Sequence, residues 1–147
     1  MKRVRKVLFA TDFSRASTKA LPTAMALART HGASLLIVHV FVPLVPVVPE
    51  QYISGTTVNQ LNARARLASQ RHLDSVVRNA RKAGVRATGI LVEGEPAAKI
   101  VRTARARKAD LIVVGTHGRT GLSKLFMGSI AQRVIAMAPC PVVVVRR

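Results

Sequence analysis

The sequence predicts an α/β fold in which an open parallel sheet of five strands is flanked by four helices. Short apolar runs, mostly rich in β-branched residues, alternate with segments whose apolar residues recur every three or four positions. This alternation is typical of parallel strands joined by right-handed helical crossovers. The chain has 147 residues, a length that suits one hydrophobic core, so residues 1–147 are predicted to form one domain.

Five apolar runs predict strands that are buried on both faces of the sheet. They cover residues 4–10, 35–41, 85–92, 111–114 and 141–145. The apolar segment at 42–56 contains three prolines and is excluded from a central strand, since proline lacks the backbone N–H that such a strand needs. We expect it to be a long loop. It is either a lid or contact surface, or an ordered surface loop that packs its own valines.

Four helices are predicted between the strands from their apolar stripes. The stripes comprise Ala20, Leu21, Ala24, Leu27 and Ala28; then Val58, Leu61, Ala65, Ala68, Val76 and Ala80, widened by Leu67, Leu73 and Val77 and with His72 as the polar member; then Ala97, Ile100, Val101 and Ala104; and finally Ile130, Val134, Ile135 and Met137. Residues at the predicted helix ends support these assignments. Ser14 suits the cap of the first helix, Gly32 follows its end, and Glu95 with Pro96 suits the start of the third.

Composition excludes several classes of protein. No apolar run approaches the ~20 residues that span a bilayer, and the basic N-terminus lacks the long apolar stretch of a secretory signal. A cytoplasmic protein without membrane insertion is therefore predicted. Cys140 is the single cysteine, and its place between two prolines before an apolar strand predicts buried packing. No group of cysteines and histidines has the spacing of metal ligands.

The charge of the chain is strongly basic, with 24 Lys and Arg against 6 Asp and Glu and a formal net charge of +18. Residues 78–108 hold nine cations and two acids, whereas residues 42–63 hold no cation. This regional charge indicates an anionic partner, and the scarcity of aromatic residues favours salt-sensitive electrostatic contact over base stacking. A coding preference is the alternative, because arginine outnumbers lysine 17 to 7 and no motif accompanies the charge.

A glycine-containing segment after the fourth predicted strand gives the strongest indication of function. Gly115 and Gly118 follow that strand, and Gly128 with Ser129 starts the next helix after nine intervening residues. Glycines let the backbone approach a ligand, and N–H groups at a helix start bind phosphate. Ser129 also suits a helix cap, and Arg119 is placed to bind a phosphate through two hydrogen bonds. The segment predicts a phosphate-binding turn.

Two other predicted strands bring candidate residues to the same edge of the sheet. Asp12 follows the first strand, and His39 and Val40 end the second. In an open α/β sheet, ligands bind beyond the carboxyl ends of the strands, at the point where the strand order reverses. Asp12, Val40 and the glycine-containing segment are therefore predicted to surround one crevice.

Three motifs together resemble the universal stress protein family. They are Ala-Thr-Asp-Phe-Ser at 10–14, Gly-Glu-Pro at 94–96 and Gly-x2-Gly-x9-Gly-Ser at 115–129, and the resemblance extends over nearly the whole chain. It implies an ATP-binding, doubly wound, Rossmann-like sheet with strand order 3-2-1-4-5. It also implies a homodimer formed through the C-terminal strand Val142–Val145, whose unpaired backbone groups lie at a sheet edge and can pair with a second copy.

The resemblance further implies a role for each matching residue. Asp12 would lie beside ATP and its Mg²⁺ or Mn²⁺, and the backbone of Val40 would contact adenine. Gly115 and Gly118 would contact the ribose and the phosphates, and Gly128 and Ser129 would hold the terminal phosphates. The residues beside these positions complete the predicted site: Thr11, Thr116, Arg119 and Ile130.

The absence of a Walker sequence, Gly-x4-Gly-Lys-Ser/Thr, favours binding over catalysis. The leading hypothesis is a nucleotide-dependent stress-response or signalling module with at most slow ATP hydrolysis. One alternative is a hydrolase that uses Asp12, His117 and Ser129, although no nucleophile elbow of the form Gly-x-Ser-x-Gly occurs. Another is a basic adaptor that binds nucleic acid or a different anionic partner through the arginine-rich helices.

Overall fold

The computed structural model of the protein describes residues 2–117 and 127–146. In this part of the chain, strands and helices occur in the order β1 (Lys6–Ala10), α1 (Arg15–His31), β2 (Ser34–Phe41), α2 (Gly55–Lys82), β3 (Ala87–Glu93), α3 (Pro96–Arg107), β4 (Leu111–Gly115), α4 (Ser129–Met137) and β5 (Val142–Val145). The predicted α/β class, with five strands and four helices, is confirmed.

The five strands form one parallel sheet in the order β3-β2-β1-β4-β5. This confirms the predicted order 3-2-1-4-5. The chain runs from β1 outward through β2 to β3 and then returns to the other side of β1 to add β4 and β5. The strand order therefore reverses beside β1, and this is where an open α/β sheet forms its ligand crevice.

Alternate residues of β1 enter two separate hydrophobic layers. Val7 and Phe9 pack with α1 and α2 on one face of the sheet, while Leu8 and Ala10 pack with α3 and α4 on the other. Val7 and Leu8 are 0% exposed and Phe9 is 1% exposed. Because helices cover both faces, β1 is apolar throughout and lacks the alternation of a half-exposed strand.

The helix ends follow the predicted capping residues. The hydroxyl of Ser14 accepts the N–H of Ser17 at the start of α1, and Gly32 ends this helix in the left-handed conformation with φ 61°. The carboxylate of Glu95 accepts two backbone N–H groups at the start of α3. Within residues 2–117 and 127–146, no helix has the length and apolar character needed to cross a bilayer.

Two strands begin two residues later than the apolar runs that predicted them. β1 begins at Lys6 and not at residue 4, because its partner β2 begins at Ser34, which pairs with Lys6. β3 begins at Ala87 and not at residue 85, because the N–H of Val85 donates to a carbonyl of α2 at 3.1 Å and closes the turn. The residues before both strands still pack against the core, which explains their apolar character.

The loop after β2 covers residues 42–54, because α2 begins at Gly55. The amide of Asn62 holds it, accepting the N–H of Leu44 at 2.7 Å and donating to the Leu44 carbonyl at 3.0 Å. Val45 is 74% exposed and Val47 99% exposed. The expectation that this loop packs its own valines is wrong for these two residues, because their side chains are exposed and the loop is instead held to α2 by the hydrogen bonds of Asn62.

Cys140 is half-buried and packs beside the layer that contains α3 and α4. The prediction of a packing role is therefore correct, although the side chain is less buried than expected. Burial, with a smaller contribution from the negative charge of Asp110, raises the pKa of the thiol above its ordinary value. A raised pKa keeps the thiol protonated and unreactive at neutral pH.

Asp110 joins the start of β4 to the start of β1. Its carboxylate accepts the N–H of Arg5 at 2.9 Å and that of Lys6 at 3.1 Å. The hydrogen bond from Arg5 is the largest influence on its pKa; burial opposes it, and Lys2 and the N–H of Lys6 act in the same direction as Arg5. The pKa of Asp110 is therefore lowered below its ordinary value.

We expect Asp110→Ala to lower the free energy of unfolding by about 1 kcal/mol near neutral pH, because two backbone N–H groups lose their acceptor. A lowered pKa in the folded state gives a contribution that is present above the ordinary aspartate pKa and is lost as the pH falls through the folded value. Urea unfolding of both proteins at neutral and at acid pH measures this. A difference in stability that stays constant on acidification would contradict a role for the charge.

Candidate functional site

A crevice of about 600 Å³ opens at the carboxyl edge of the sheet, and its volume is typical of small-molecule sites. Eight of the ten residues predicted for the site line it: Thr11, Asp12, Val40, Gly115, Thr116, Gly128, Ser129 and Ile130. Residues from β2, β4 and α4 and from the segments that follow β1 and β4 are thus brought together as the sequence predicts. The other two predicted residues, Gly118 and Arg119, lie outside the described residues.

The turn between β1 and α1 forms the floor of the crevice and is held by its own side chains. The hydroxyl of Thr11 accepts the N–H of Phe13 at 3.0 Å, and the carboxylate of Asp12 accepts the N–H of Ser14 at 2.9 Å. A further contact of 3.0 Å joins the hydroxyls of Thr11 and Ser17. These contacts fix the position of Asp12 at the crevice before any ligand binds.

Phe13 adopts the left-handed backbone conformation with φ 61°, which costs a residue other than glycine about 1–3 kcal/mol. Its ring stacks on two imidazoles, at centroid distances of 4.2 Å from His39 and 4.0 Å from His72. Such ring pairs contribute about 0.5–1.5 kcal/mol each, which offsets the backbone strain. The stack joins the turn to β2 and α2. Sequence reasoning does not identify Phe13, because neither its backbone angle nor its partners follow from local pattern.

β2 extends past β1, and this leaves the backbone of Val40 beside the crevice. The register of the two strands ends at Ala10 and Val38, and the N–H of Thr11 donates to the Val38 carbonyl at 2.9 Å. In a parallel strand, every second residue directs its backbone N–H and C=O to the same neighbouring strand. The N–H and C=O of Val40 therefore point to the side of β1, as those of Val38 do. The carbonyl of Thr11 does not pair with Val40, because it accepts a hydrogen bond from Nδ1 of His39 at 2.9 Å.

Thr116 connects the end of β4 to β5 and to α4. Its N–H donates to the carbonyl of Val145 at 3.0 Å, and its carbonyl accepts the N–H of Gly128 at 2.7 Å. Its hydroxyl lies 2.9 Å from Nδ1 of His117, and both side chains are buried. The residue directly after β4 therefore fixes the position of the start of α4.

Gly115 has a packing role that differs from the role the resemblance implies. A Cβ atom at this position would lie 3.2 Å from the carbonyl oxygen of Ala16 and 3.4 Å from Cα of Ser17. The absent side chain therefore lets β4 approach the first turn of α1. Gly115 also lines the crevice, but the close backbone contact is by itself a reason for glycine at this position.

Within the described residues, the start of α4 has no capping side chain. The expectation that Ser129 caps this helix is wrong: Ser129 is the first helical residue, and the cap position is occupied by Gly128, which has no side chain to accept from the first turn. In α1, α2 and α3 the side chains of Ser14, Ser54 and Glu95 perform that function. Among the helices of the described part, α4 therefore presents uncapped N–H groups, and they lie at the crevice.

Glu95 links the start of α3 to α4. Its carboxylate forms an ion pair with Arg133 at 2.7 Å while it caps α3. Burial raises the pKa of Glu95, but hydrogen bonds from the backbone of Ala98 and Ala97 and the charge of Arg133 together lower it below the ordinary value. The two helices on this side of the crevice are thereby connected.

α2 supplies one wall of the crevice, although the sequence predicts only an apolar stripe for this helix. The residues that line the crevice there are Ala65, Ala68 and Ser69. Larger side chains of the predicted stripe are instead exposed, Leu61 to 43% and Leu67 to 57%. The first half of α2 thus borders an open space instead of the core, which explains why its inward residues are small.

Among the described residues that line the crevice, one carries a carboxylate that could bind a metal ion. Across residues 2–117 and 127–146, no group of three or more His, Cys, Asp or Glu side chains is arranged to hold a metal ion. Asp12 lines the crevice. This arrangement fits Mg²⁺ that is bound mainly through ligand phosphates and water, since such ions use only one or two protein carboxylates.

We expect Gly115→Val to lower the free energy of unfolding by about 1–3 kcal/mol, because its side chain would overlap the backbone of α1. Gly55→Val is the matched control, since the nearest atom to a Cβ there lies 3.9 Å away. Chemical denaturation measures both variants. Equal stability of the two variants would contradict a packing role for Gly115.

Comparisons with known proteins agree with this architecture. The sequence model of the universal stress protein family matches residues 3–146. A universal stress protein of Thermus aquaticus is 36% identical over 143 residues, which cover 97% of this chain and 98% of the relative. Among solved structures, MJ0577 of Methanocaldococcus jannaschii has a TM-score of 0.85 at 26% identity and coverage of 99% and 98% of the two chains. A universal stress protein from Archaeoglobus fulgidus in complex with dAMP has a TM-score of 0.66 at 25% identity, with coverage of 99% and 100%. The chain therefore belongs to the universal stress protein family.

Proposed function

We propose that this protein binds ATP in the crevice and acts as a nucleotide-dependent module in a cytoplasmic stress response or signalling process. The observation that carries the proposal is the uncapped start of α4, which opens on the same crevice as Asp12 and the end of β2. N–H groups at the positive end of a helix dipole bind phosphate when no side chain occupies them.

The adenine is proposed to bind at the end of β2. The N–H and C=O of Val40 face the side on which β1 has ended, so they offer a donor beside an acceptor. The edge of adenine carries the complementary pair, a ring nitrogen that accepts and an amino group that donates. Apolar crevice residues suited to contact a flat base are Ala65, Ala68, Ile100 and Val42.

The phosphates are proposed to bind at the start of α4. The N–H groups of Ser129 and Ile130 and the hydroxyl of Ser129 supply donors at the positive end of the helix. Mg²⁺ or Mn²⁺ bound to the phosphates, when present, would neutralise part of their charge and permit Asp12 to approach them. Gly118 and Arg119 are proposed to complete this end, as the resemblance and the chemistry of arginine imply.

The A. fulgidus relative solved in complex with dAMP supports an adenine nucleotide as the ligand. We favour ATP because the donors at α4 lie beside the end of β4, with β1 between them and Val40 on β2, and this separation suits a chain of phosphates. We propose binding with at most slow hydrolysis. The hydrolase alternative relies on Asp12, His117 and Ser129, all of which line the crevice, and rapid ATP turnover that is abolished by His117→Ala would favour it.

Titration of the purified protein by calorimetry is expected to give saturable ATP binding that tightens with Mg²⁺, and weaker binding of GTP. Gly128→Val is expected to weaken ATP at least tenfold, because a side chain at the helix start blocks the approach of a phosphate. The matched control is Gly55→Val, which makes the same change at the start of α2 outside the crevice. No binding by the unaltered protein at millimolar ATP, or equal affinity of the two variants, would reject the proposed site.

We also propose a homodimer formed through β5. This strand is at one end of the sheet order, and all four of its valines are only half-buried. The carbonyl of Pro141 accepts the N–H of Ile112 in β4, and that of Val145 accepts the N–H of Thr116 directly after β4. Alternation therefore directs the polar groups of Val142 and Val144 outward. An exposed row of such groups is suited to pair with a second copy.

We expect Val144→Pro to shift the protein from dimer to monomer, because it removes an outward N–H without removing a hydrogen bond to β4. Val144→Thr keeps both the N–H and the branched shape, and it is expected to stay dimeric. Sedimentation velocity measures the assembly, and circular dichroism checks that both variants fold. A dimer that persists in the proline variant would exclude pairing through β5.

A further inference from the structure

A basic surface lies at the amino edge of the sheet, opposite the crevice, where the strands begin and α1, α2 and α3 end. Its cations come from four separate parts of the sequence. We define this amino-edge face by Lys2, Arg3, Arg5, Lys6, Arg29, Arg81, Lys82, Arg86, Arg105, Arg107 and Lys108. The sequence alone assigns basic character to residues 78–108, but only the fold adds the N-terminal segment and the end of α1 to it.

Hydrogen bonds show that one half of the face is continuous. The ammonium of Lys6 donates to the carbonyl of Arg107 at 3.0 Å, which joins the start of β1 to the end of α3. The N–H of Asp110 donates to the carbonyl of Lys6 at 2.9 Å, and the N–H of Ser34 donates to that of Arg5 at 2.9 Å. The cations at residues 2–6 and at the end of α3 therefore occupy neighbouring positions.

The other half is connected in the same way. The N–H of Leu35 donates to the carbonyl of Arg86 at 2.8 Å, and the guanidinium of Arg86 donates to the carbonyl of Gly32 at 2.6 Å. Arg29 reaches the carbonyl of Ala83 at 3.4 Å. The ends of α1 and α2 thus meet beside the starts of β2 and β3. From β4 to β3 the edge spans three strand spacings, roughly 15 Å.

Most acidic residues of the chain lie at the carboxyl edge of the sheet, opposite the amino-edge face. Four of the six, Asp12, Glu50, Glu93 and Glu95, lie at the carboxyl edge or in the loop that leaves it. Among the described residues Asp110 alone contributes a carboxylate to the amino-edge face, where it pairs with Lys2 at 3.3 Å. The face therefore has a large positive charge that the protein itself does not neutralise.

Helix dipoles explain only part of this charge. Cations in the last turn of a helix stabilise its negative end, and this accounts for those on α1, α2 and α3. The guanidinium of Arg86 also contacts a helix end, because it donates to the carbonyl of Gly32 after α1. The helix dipoles do not account for Arg3 and Arg5, which precede β1 and belong to no helix.

We propose that the amino-edge face binds the phosphate backbone of double-stranded nucleic acid without sequence preference. Seven of its eleven cations are arginines, the side chain that best matches phosphate oxygens. The contiguous edge presents them to successive phosphates of a duplex, which carries one negative charge per roughly 1.7 Å. This surface is separate from the crevice, so the proposal does not rest on nucleotide binding there.

Two other anionic partners fit the face less well. Single-stranded nucleic acid is held by stacking on aromatic side chains, and the described aromatic residues, Phe9, Phe13, Phe41 and Tyr52, lie in the core, at the carboxyl edge or in the loop after β2. A lipid surface is held by apolar side chains beside the cations. The exposed large apolar residues of the described part belong to the loop after β2, to the first half of α2 and to α4, and none of these segments contributes cations to the face.

The test is fluorescence anisotropy of a labelled DNA duplex of random sequence, titrated with the full chain at several salt concentrations. If six phosphate contacts form, the affinity falls about 10³-fold between about 50 and 200 mM salt. The variant Arg3→Glu/Lys82→Glu/Arg105→Glu reverses three exposed cations of the face that make no side-chain hydrogen bond or ion pair within the described part. It is expected to bind at least tenfold more weakly and to reduce the salt slope by roughly 2.7.

The matched control is Arg15→Glu/Lys19→Glu/Arg64→Glu, which makes the same change in net charge at exposed positions away from the face. It is expected to lose less than threefold in affinity. Glutamine substitutions at the same three positions of the face test the proposal if the glutamate variant does not fold. Equal loss in both triple variants, tighter binding of a single strand than of a duplex, or binding to anionic phospholipid vesicles without binding to the duplex would each overturn the proposal.

Discussion

The crevice depends on one mismatch in strand length. The central strand β1 stops at Ala10, whereas β2 continues three residues past their last pair to Phe41, and β4 continues to Gly115. Because both neighbours extend further at the carboxyl edge, β1 leaves a notch between them whose floor is the turn after β1. The exposed backbone of Val40, the packing of Gly115 against α1 and the position of Thr116 all follow from it. A β1 longer by two residues would pair with Val40 and fill the notch.

A second constraint directs anions to one place at that edge. Every helix of the described part begins at the carboxyl edge, and each start is a potential phosphate site because its first N–H groups lack partners within the helix. Ser14, Ser54 and Glu95 occupy three of these starts. The fourth, at Gly128, has no such side chain. Capping therefore acts as a means of selection, because it removes the competing sites for a negatively charged ligand.

The sequence predicts most of the fold because the information is local. Runs of β-branched residues indicate the strands, periodic stripes indicate the helices, and Ser14 and Glu95 suit their caps by chemistry alone. It also brings Asp12, Val40 and Ser129 to one edge, since the carboxyl ends of parallel strands must coincide. Features that depend on contacts between distant segments are not predictable in this way. They include the packing of Gly115 on α1, the small residues of α2 that border the crevice, and the meeting of residues 2–6 with the ends of three helices.

Because the backbone of Phe13 is strained, the turn after β1 cannot be transferred to another protein by itself. Its left-handed conformation is compensated by imidazoles on β2 and α2, which are 26 and 59 positions away in the sequence. A graft of the turn alone onto another parallel sheet would therefore relax, and the carboxylate of Asp12 would move with it. The unit that must be transferred is the turn together with His39 and His72. Its boundaries are set by side-chain contact and not by chain continuity.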